Sequence, residues 1–161
     1  MGGMRPTVYI ETTVPSDYCD DRPELVADIS RTRQWWDLER PSYECFISEA
    51  VWNELATGEN PTKSRCLALV EELPRLAVNE EIERIASVYQ IRKLMPKSPV
   101  RDALHLAIAT FYRMDFPLTW NCQQLANANK SRHLRELNIE LDLITPQLVT
   151  PYQLQPWENE T

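Results

Sequence analysis

Short β-prone runs alternate with stretches of helical periodicity along almost the whole chain, and this alternation constrains the fold more than any other property. Thr7-Val8-Tyr9-Ile10, Tyr43 to Ile47, Phe116 to Thr119 and Leu141 to Ile144 read as strands, while Arg75 to Val78 reads as a strand or as a loop between helices. Thr12-Thr13-Val14-Pro15 reads as a turn after the first strand. Residues 24 to 39 carry Leu25, Ile29 and Trp36 at near-helical spacing, with Pro41 marking the end. Ser48 is a good N-cap for a helix running to Gly58, Asn60-Pro61 opens another with Leu67, Val70 and Leu73 on one stripe, and Asn79 opens a third carrying Ile82, Ile85, Ala86 and Tyr89. The clearest helix follows Ser98-Pro99, with Val100, Ala103, Leu104, Ala107, Ile108 and Phe111 on one face. A last one begins near Cys122 and contains Leu125, Leu134 and Leu137. Repeated βα units predict an α/β fold with a mostly parallel sheet, helices on both faces, and a site at the carboxyl ends of the strands.

Composition removes several function classes. Only three glycines are present, none opening a phosphate-cradling loop, so nucleotide-binding fingerprints are absent. The 161 residues, 43% of them hydrophobic, suit one domain over 1–161, with a polar, proline-rich tail after about residue 150 expected to wrap loosely or mediate contacts. No apolar run approaches the roughly 20 residues of a membrane span, and the start lacks the apolar region of a signal peptide, so a cytoplasmic protein without membrane contact is expected. Cys19, Cys45, Cys66 and Cys122 have no metal-binding spacing and read as reduced, mostly core residues. A net charge of −7 argues against a broad nucleic-acid-coating face but not against an enzyme acting on nucleic acid. Lys130, Arg132, His133 and Arg135 form a short basic stretch that either guides a phosphate chain or is solvated helix surface.

Three carboxylates, Glu11, Glu54 and Asp102, each border an apolar stretch although they lie far apart in the chain. Glu11 ends the first strand, Asp102 lies in the first turn of the clearest helix, and Glu54 flanks the core stripe of Val51 and Leu55. Glu11, Asp102, Thr119 and Asn121 would gather at the carboxyl end of the sheet, with Glu54 entering from its helix. Converging carboxylates repel one another until a divalent cation neutralises them, and an oxygen-rich set of this kind suits Mg²⁺ or Mn²⁺. Taken singly, each has a plainer reading: a strand-end surface residue, a helix ion pair and a helix-dipole partner. His105, one turn beyond Asp102, reads as a structural histidine or as a hydrogen-bond partner of Asp102.

Four segments together resemble the PIN domains, in particular the VapC-like toxins of toxin–antitoxin pairs. They are Val8-Tyr9-Ile10-Glu11-Thr12-Thr13, Ser48-Glu49-Ala50-Val51-Trp52-Asn53-Glu54-Leu55, Asp102-Ala103-Leu104-His105-Leu106-Ala107-Ile108-Ala109 and Leu118-Thr119-Trp120-Asn121. The likeness runs from about Val8 to about Thr150, and the last two motifs are the most specific. It implies a three-layer αβα sandwich and a metal-dependent ribonuclease, often dimeric and neutralised by an antitoxin, whose products carry 3′-hydroxyl and 5′-phosphate ends. By position, Glu11 replaces the usual first Asp, Glu54 and Asp102 match the second and third acids, and Asn121 replaces the fourth. Glu11, Glu54 and Asp102 are then the expected metal ligands and, with Asn121, the catalytic set. Thr12 and Thr119 are expected to position substrate or water.

The two departures have physical consequences. Glu11 keeps the charge on a longer arm, and Asn121 removes one, which favours a single ion over two. Asn121 also suits a helix N-cap. The competing reading is an inactive PIN-like module binding RNA or a protein partner. A receiver-like phosphoacceptor would need Asp where Glu11 stands. The aromatic residues, among them Trp35, Trp36, Trp52 and Trp157, suit either a core or a dimer or antitoxin face.

Overall fold

The computed structural model describes residues 5–92, 100–121 and 128–155. Among the described residues four strands form one parallel sheet in the order β3-β2-β1-β4. They are β1 (Thr7–Ile10), β2 (Glu44–Ser48), β3 (Arg75–Leu76) and β4 (Phe116–Leu118). Thr7 is in register with Glu44, Ile10 with Leu118, and Ile47 with Arg75. Val8, Tyr9 and Ile10 are all fully buried, so both faces of the central strand are covered, as a parallel sheet requires. Pro117 lacks an N–H and sits on β4, at the end of the strand order, where a missing ladder donor is tolerated.

The helices are α1 (Thr13–Tyr18), α2 (Val26–Gln34), α3 (Glu49–Thr57), α4 (Lys63–Val70), α5 (Glu80–Ile91), α6 (Val100–Phe111) and α7 (Ala128–Glu140). Helix α5 packs along α6, and Ile82, Ile85, Ala86 and Tyr89 are buried as their spacing predicts. From Ala103 to Thr110 only Leu104 on α6 retains appreciable exposure, so this helix is core on nearly every side rather than along one stripe. Ser48 caps α3 through Val51 N–H, and Asn79 caps α5 through Ile82 N–H.

Several sequence expectations are corrected. The segment after β1 is a helix, not a turn, because Pro15 falls in the first turn of α1, where its missing N–H breaks no bond. The stretch 24–39 is not one α-helix: α2 follows a 3₁₀ turn, Pro23–Leu25, and widens into a π turn, Trp35–Glu39, that buries both Trp35 and Trp36. Trp35 stacks on Tyr43 and Trp36 meets Tyr18 edge-on, so both tryptophans are core. Helix α4 ends at Val70, leaving Leu73 in the following turn.

Leu141 to Ile144 is not a strand. Leu143 N–H bonds Asn138 C=O, Asp142 N–H bonds Ile139 C=O, and Asp142 has φ 59°, so these residues close α7 in a Schellman motif. The outer edge of β4 is met instead by a single parallel bridge from Val149 to Leu118. The tail is anchored as far as residue 155: Pro151 and Leu154 are buried, and Tyr43 Oη donates to Gln155 C=O. Cys19, Cys45 and Cys66 are free and buried, and burial pushes the Cys19 and Cys45 thiols up to about 12, which suits packing rather than reactivity. Expectations for Gly2, Gly3, Ser98-Pro99, Cys122, Leu125 and Trp157 lie outside the described residues.

Helix α6 closes in the same way, with Arg113 at φ 56° while Met114 N–H bonds Ala109 C=O. A left-handed conformation costs a residue with a Cβ about 1–2 kcal/mol. Arg113→Gly should therefore stabilise the exposed turn by about 1 kcal/mol and raise the melting temperature by roughly 2–4 °C.

Candidate functional site

Glu11 follows β1 directly and is 6% exposed. Its Oε1 accepts from Thr13 N–H at 3.1 Å, Thr13 Oγ1 at 2.5 Å and Thr119 Oγ1 at 2.7 Å, while no described donor reaches Oε2. Each threonine hydroxyl also accepts a backbone N–H, Trp120 to Thr13 and Asn121 to Thr119. One carboxylate oxygen thus ties the end of β1 to the loop after β4, 108 residues away in sequence.

Asp102, in the first turn of α6, lines the same small cleft as Glu11, Thr119 and Asn121. Tyr9, His105, Leu106, Pro117 and Leu148 complete it, and its volume is about 30 Å³. A bound water needs roughly 10–15 Å³ by this measure, so there is room for an ion or one or two waters. Two carboxylates, a neutral amide and a hydroxyl match the habit of Mg²⁺, which keeps most of its waters and takes one or two protein carboxylates beside substrate phosphate. The donor set therefore fits a single hard divalent cation. Among the described residues no group of three or more His, Cys, Asp and Glu side chains is placed to hold a metal.

Glu54 is placed differently from Glu11 and Asp102. It is not among the residues lining the cleft, and both of its oxygens are engaged, Oε1 by Thr12 Oγ1 at 3.2 Å and Oε2 by His105 Nε2 at 2.6 Å. The structure thus brings Glu11, Asp102, Thr119 and Asn121 to one cleft and sets Glu54 and Thr12 beside it. Asn121 is exposed, the described part of α7 runs from Ala128, and the residues between them lie outside the described set.

Tyr9, Thr13 and Ser48 belong to this region, yet sequence reading assigned them no site role. His105, weighed there as a partner of Asp102, instead meets Tyr9 Oη through Nδ1 at 2.6 Å and Glu54 through Nε2. The i, i+3 spacing of Asp102 and His105 does place both on the cleft, and that signal was legible. Burial, together with the nearby charges of Glu11 and Glu54, holds the Tyr9 phenol well above its usual range, so it stays a neutral donor.

Asp17 on α1 has its carboxyl raised to about 6 by burial and by the neighbouring Asp20 and Asp28. Its folded pKa exceeds the unfolded one, so its contribution to stability falls as pH rises from about 4 through 6. Asp17→Asn should raise the melting temperature at pH 7 and change it little at pH 4, as thermal unfolding at the two pH values would show.

Solved structures of other proteins share this fold. A toxin–antitoxin complex from Klebsiella pneumoniae superposes with a TM-score of 0.58 at 16% identity, covering 91% of this chain and 99% of the other. VapC20 of Mycobacterium tuberculosis, described as a sarcin-ricin-loop-cleaving toxin, gives 0.57 at 12% identity over 74% and 93%. FitAcB from Neisseria gonorrhoeae gives 0.55 at 16% identity over 91% and 99%. The fold is the one these structures share, an α/β, PIN-like architecture. No protein-family profile matches this chain, and no curated protein matches it by sequence. The α/β PIN architecture is thus confirmed at the level of structure. Among the described residues no helix is long and apolar enough to cross a membrane.

Proposed function

We propose that this protein is a divalent-metal-dependent endoribonuclease of the VapC type, acting in the cytoplasm and neutralised by an antitoxin. The observation that carries the reading is the convergence of Glu11, Asp102, Thr119 and Asn121 on one cleft at the carboxyl end of a PIN-type sheet. Glu11 Oε2 and the Asp102 carboxylate would hold Mg²⁺ or Mn²⁺, with the Asn121 amide oxygen beside them. Such an ion, when bound, neutralises phosphate charge and makes a water more acidic. Thr13 and Thr119 fix Glu11 so that it need not reorganise on binding, and Thr119 also holds the backbone that presents Asn121. Lys130, Arg132, His133 and Arg135 lie on α7, where they would meet RNA phosphates. The solved structures of similar fold include a toxin–antitoxin complex, which supports a protein antitoxin as partner; a homodimer completes the assembly we propose.

The test is the chemistry of the ends. Metal-loaded protein incubated with structured RNA should release fragments bearing 5′-phosphates that a ligase accepts. Fragments with 5′-hydroxyl and 2′,3′-cyclic phosphate ends would show attack by the ribose hydroxyl and contradict the reading. One observation favours the inactive binding module instead: two acids rather than three line the cleft. That alternative requires RNA or partner binding with no cleavage at any metal concentration.

A further inference from the structure

A closed run of hydrogen bonds borders the cleft. It starts and ends on α3. Val51 N–H donates to Ser48 Oγ, Ser48 Oγ lies 2.8 Å from Tyr9 Oη, Tyr9 Oη lies 2.6 Å from His105 Nδ1, and His105 Nε2 lies 2.6 Å from Glu54 Oε2. Three of these side chains are almost fully enclosed: Ser48 and Tyr9 at 0% exposure and His105 at 4%. An ionised carboxylate only accepts, so the hydrogen facing Glu54 belongs to Nε2. With that hydrogen on Nε2, Nδ1 accepts from Tyr9 Oη and Tyr9 Oη accepts from Ser48 Oγ, an order that satisfies every polar atom of the run, whereas the reverse would need a second imidazole hydrogen and leave the Ser48 hydroxyl hydrogen without a described acceptor. Such a network is rigid because breaking any link leaves a buried group unpaired.

Resting on the nuclease reading above, we propose that His105, backed by Tyr9, is a positioning residue that withholds Glu54 from the cation. Both Glu54 oxygens are engaged, by His105 and Thr12, and the cleft is lined by His105 and Tyr9 but not by Glu54. The site therefore works with two carboxylates. A third would replace one of the waters that Mg²⁺ retains, binding the ion more tightly while leaving fewer positions for water and phosphate. His105 keeps affinity modest and the shell open.

The experiment titrates chelator-stripped protein with Mn²⁺ by calorimetry, comparing wild type with His105→Leu and His105→Gln. Leucine frees Glu54 and should tighten the Mn²⁺ dissociation constant about tenfold, roughly 1.4 kcal/mol. The glutamine amide can still donate to Glu54, so His105→Gln should return towards the wild-type value. If His105→Leu does not fold, Thr12→Val, which frees Oε1, and Tyr9→Phe, which loosens the ring, should each tighten binding by a smaller factor. Unchanged or weaker binding in the folded variants would overturn the proposal while leaving the nuclease reading intact. Binding by a freed variant but not by wild type would support withholding and refute the nuclease reading, and no binding by any form would refute both. A metal-free check uses ¹⁵N spectra, which are simple to assign because the chain has only two histidines. The His105 Nε2 should carry a slowly exchanging hydrogen whose signal moves in Glu54→Gln; a freely exchanging Nε2 would overturn the proposal.

Discussion

Asp102→Asn should lower RNA cleavage by at least about 100-fold, the scale on which losing a charged group aimed at the reacting centre is felt. The substitution keeps size and shape but removes one of the two carboxylates lining the cleft. A first-turn carboxylate also contributes about 0.3–1 kcal/mol through the helix dipole, so folding is measured alongside. Single-turnover cleavage measured beside a thermal melt separates the two effects. Glu11→Gln should lose activity on a similar scale, whereas Glu11→Asp keeps the charge but should break the reach to Thr119. The added methylene at this position is thus explained by its partners: the longer arm lets one oxygen meet donors from both sides of the loop.

The largest stability effect is expected at Trp35→Ala. Trp35 is fully buried, stacked on Tyr43 and in edge contact with Trp36. Removing its ring should cost about 3–5 kcal/mol, seen as a lower urea midpoint at unchanged slope. Its Nε1 has no hydrogen-bond partner among the described residues. Trp35→Phe should consequently cost far less, because it deletes an unsatisfied buried donor while keeping most of the packing. A phenylalanine variant as unstable as the alanine one would show that the indole N–H has a partner.

Much of the scaffold was legible because its signals are local. The strands at Thr7, Glu44 and Phe116 are short β-prone runs, and the caps at Ser48 and Asn79 precede amphipathic stretches. The errors came where closure replaced continuation. Asp142 and Arg113 adopt left-handed conformations without glycine, so nothing in their residue type announced that α7 and α6 would end there. The apolar Leu141 to Ile144 run was therefore misread as a strand, and the true β4 neighbour, Val149, makes one bridge with no periodicity to reveal it. In the site, Glu11, Asp102, Thr119 and Asn121 were placed by the rule that parallel sheets gather function at strand ends. The link from Tyr9 to His105 spans 96 residues and that from His105 to Glu54 spans 51. Pairings of that kind depend on which faces of β1, α3 and α6 meet, which packing decides and spacing does not.

Glu11 and Asp102 together are expected to bind a divalent cation. Calorimetric titration of the chelator-stripped protein with Mn²⁺, beside the Glu11→Gln and Asp102→Asn variants, tests it most directly. One ion per chain is expected for the wild type, with at least tenfold weaker binding in each variant. Binding that both variants leave unchanged would place the metal elsewhere and contradict it.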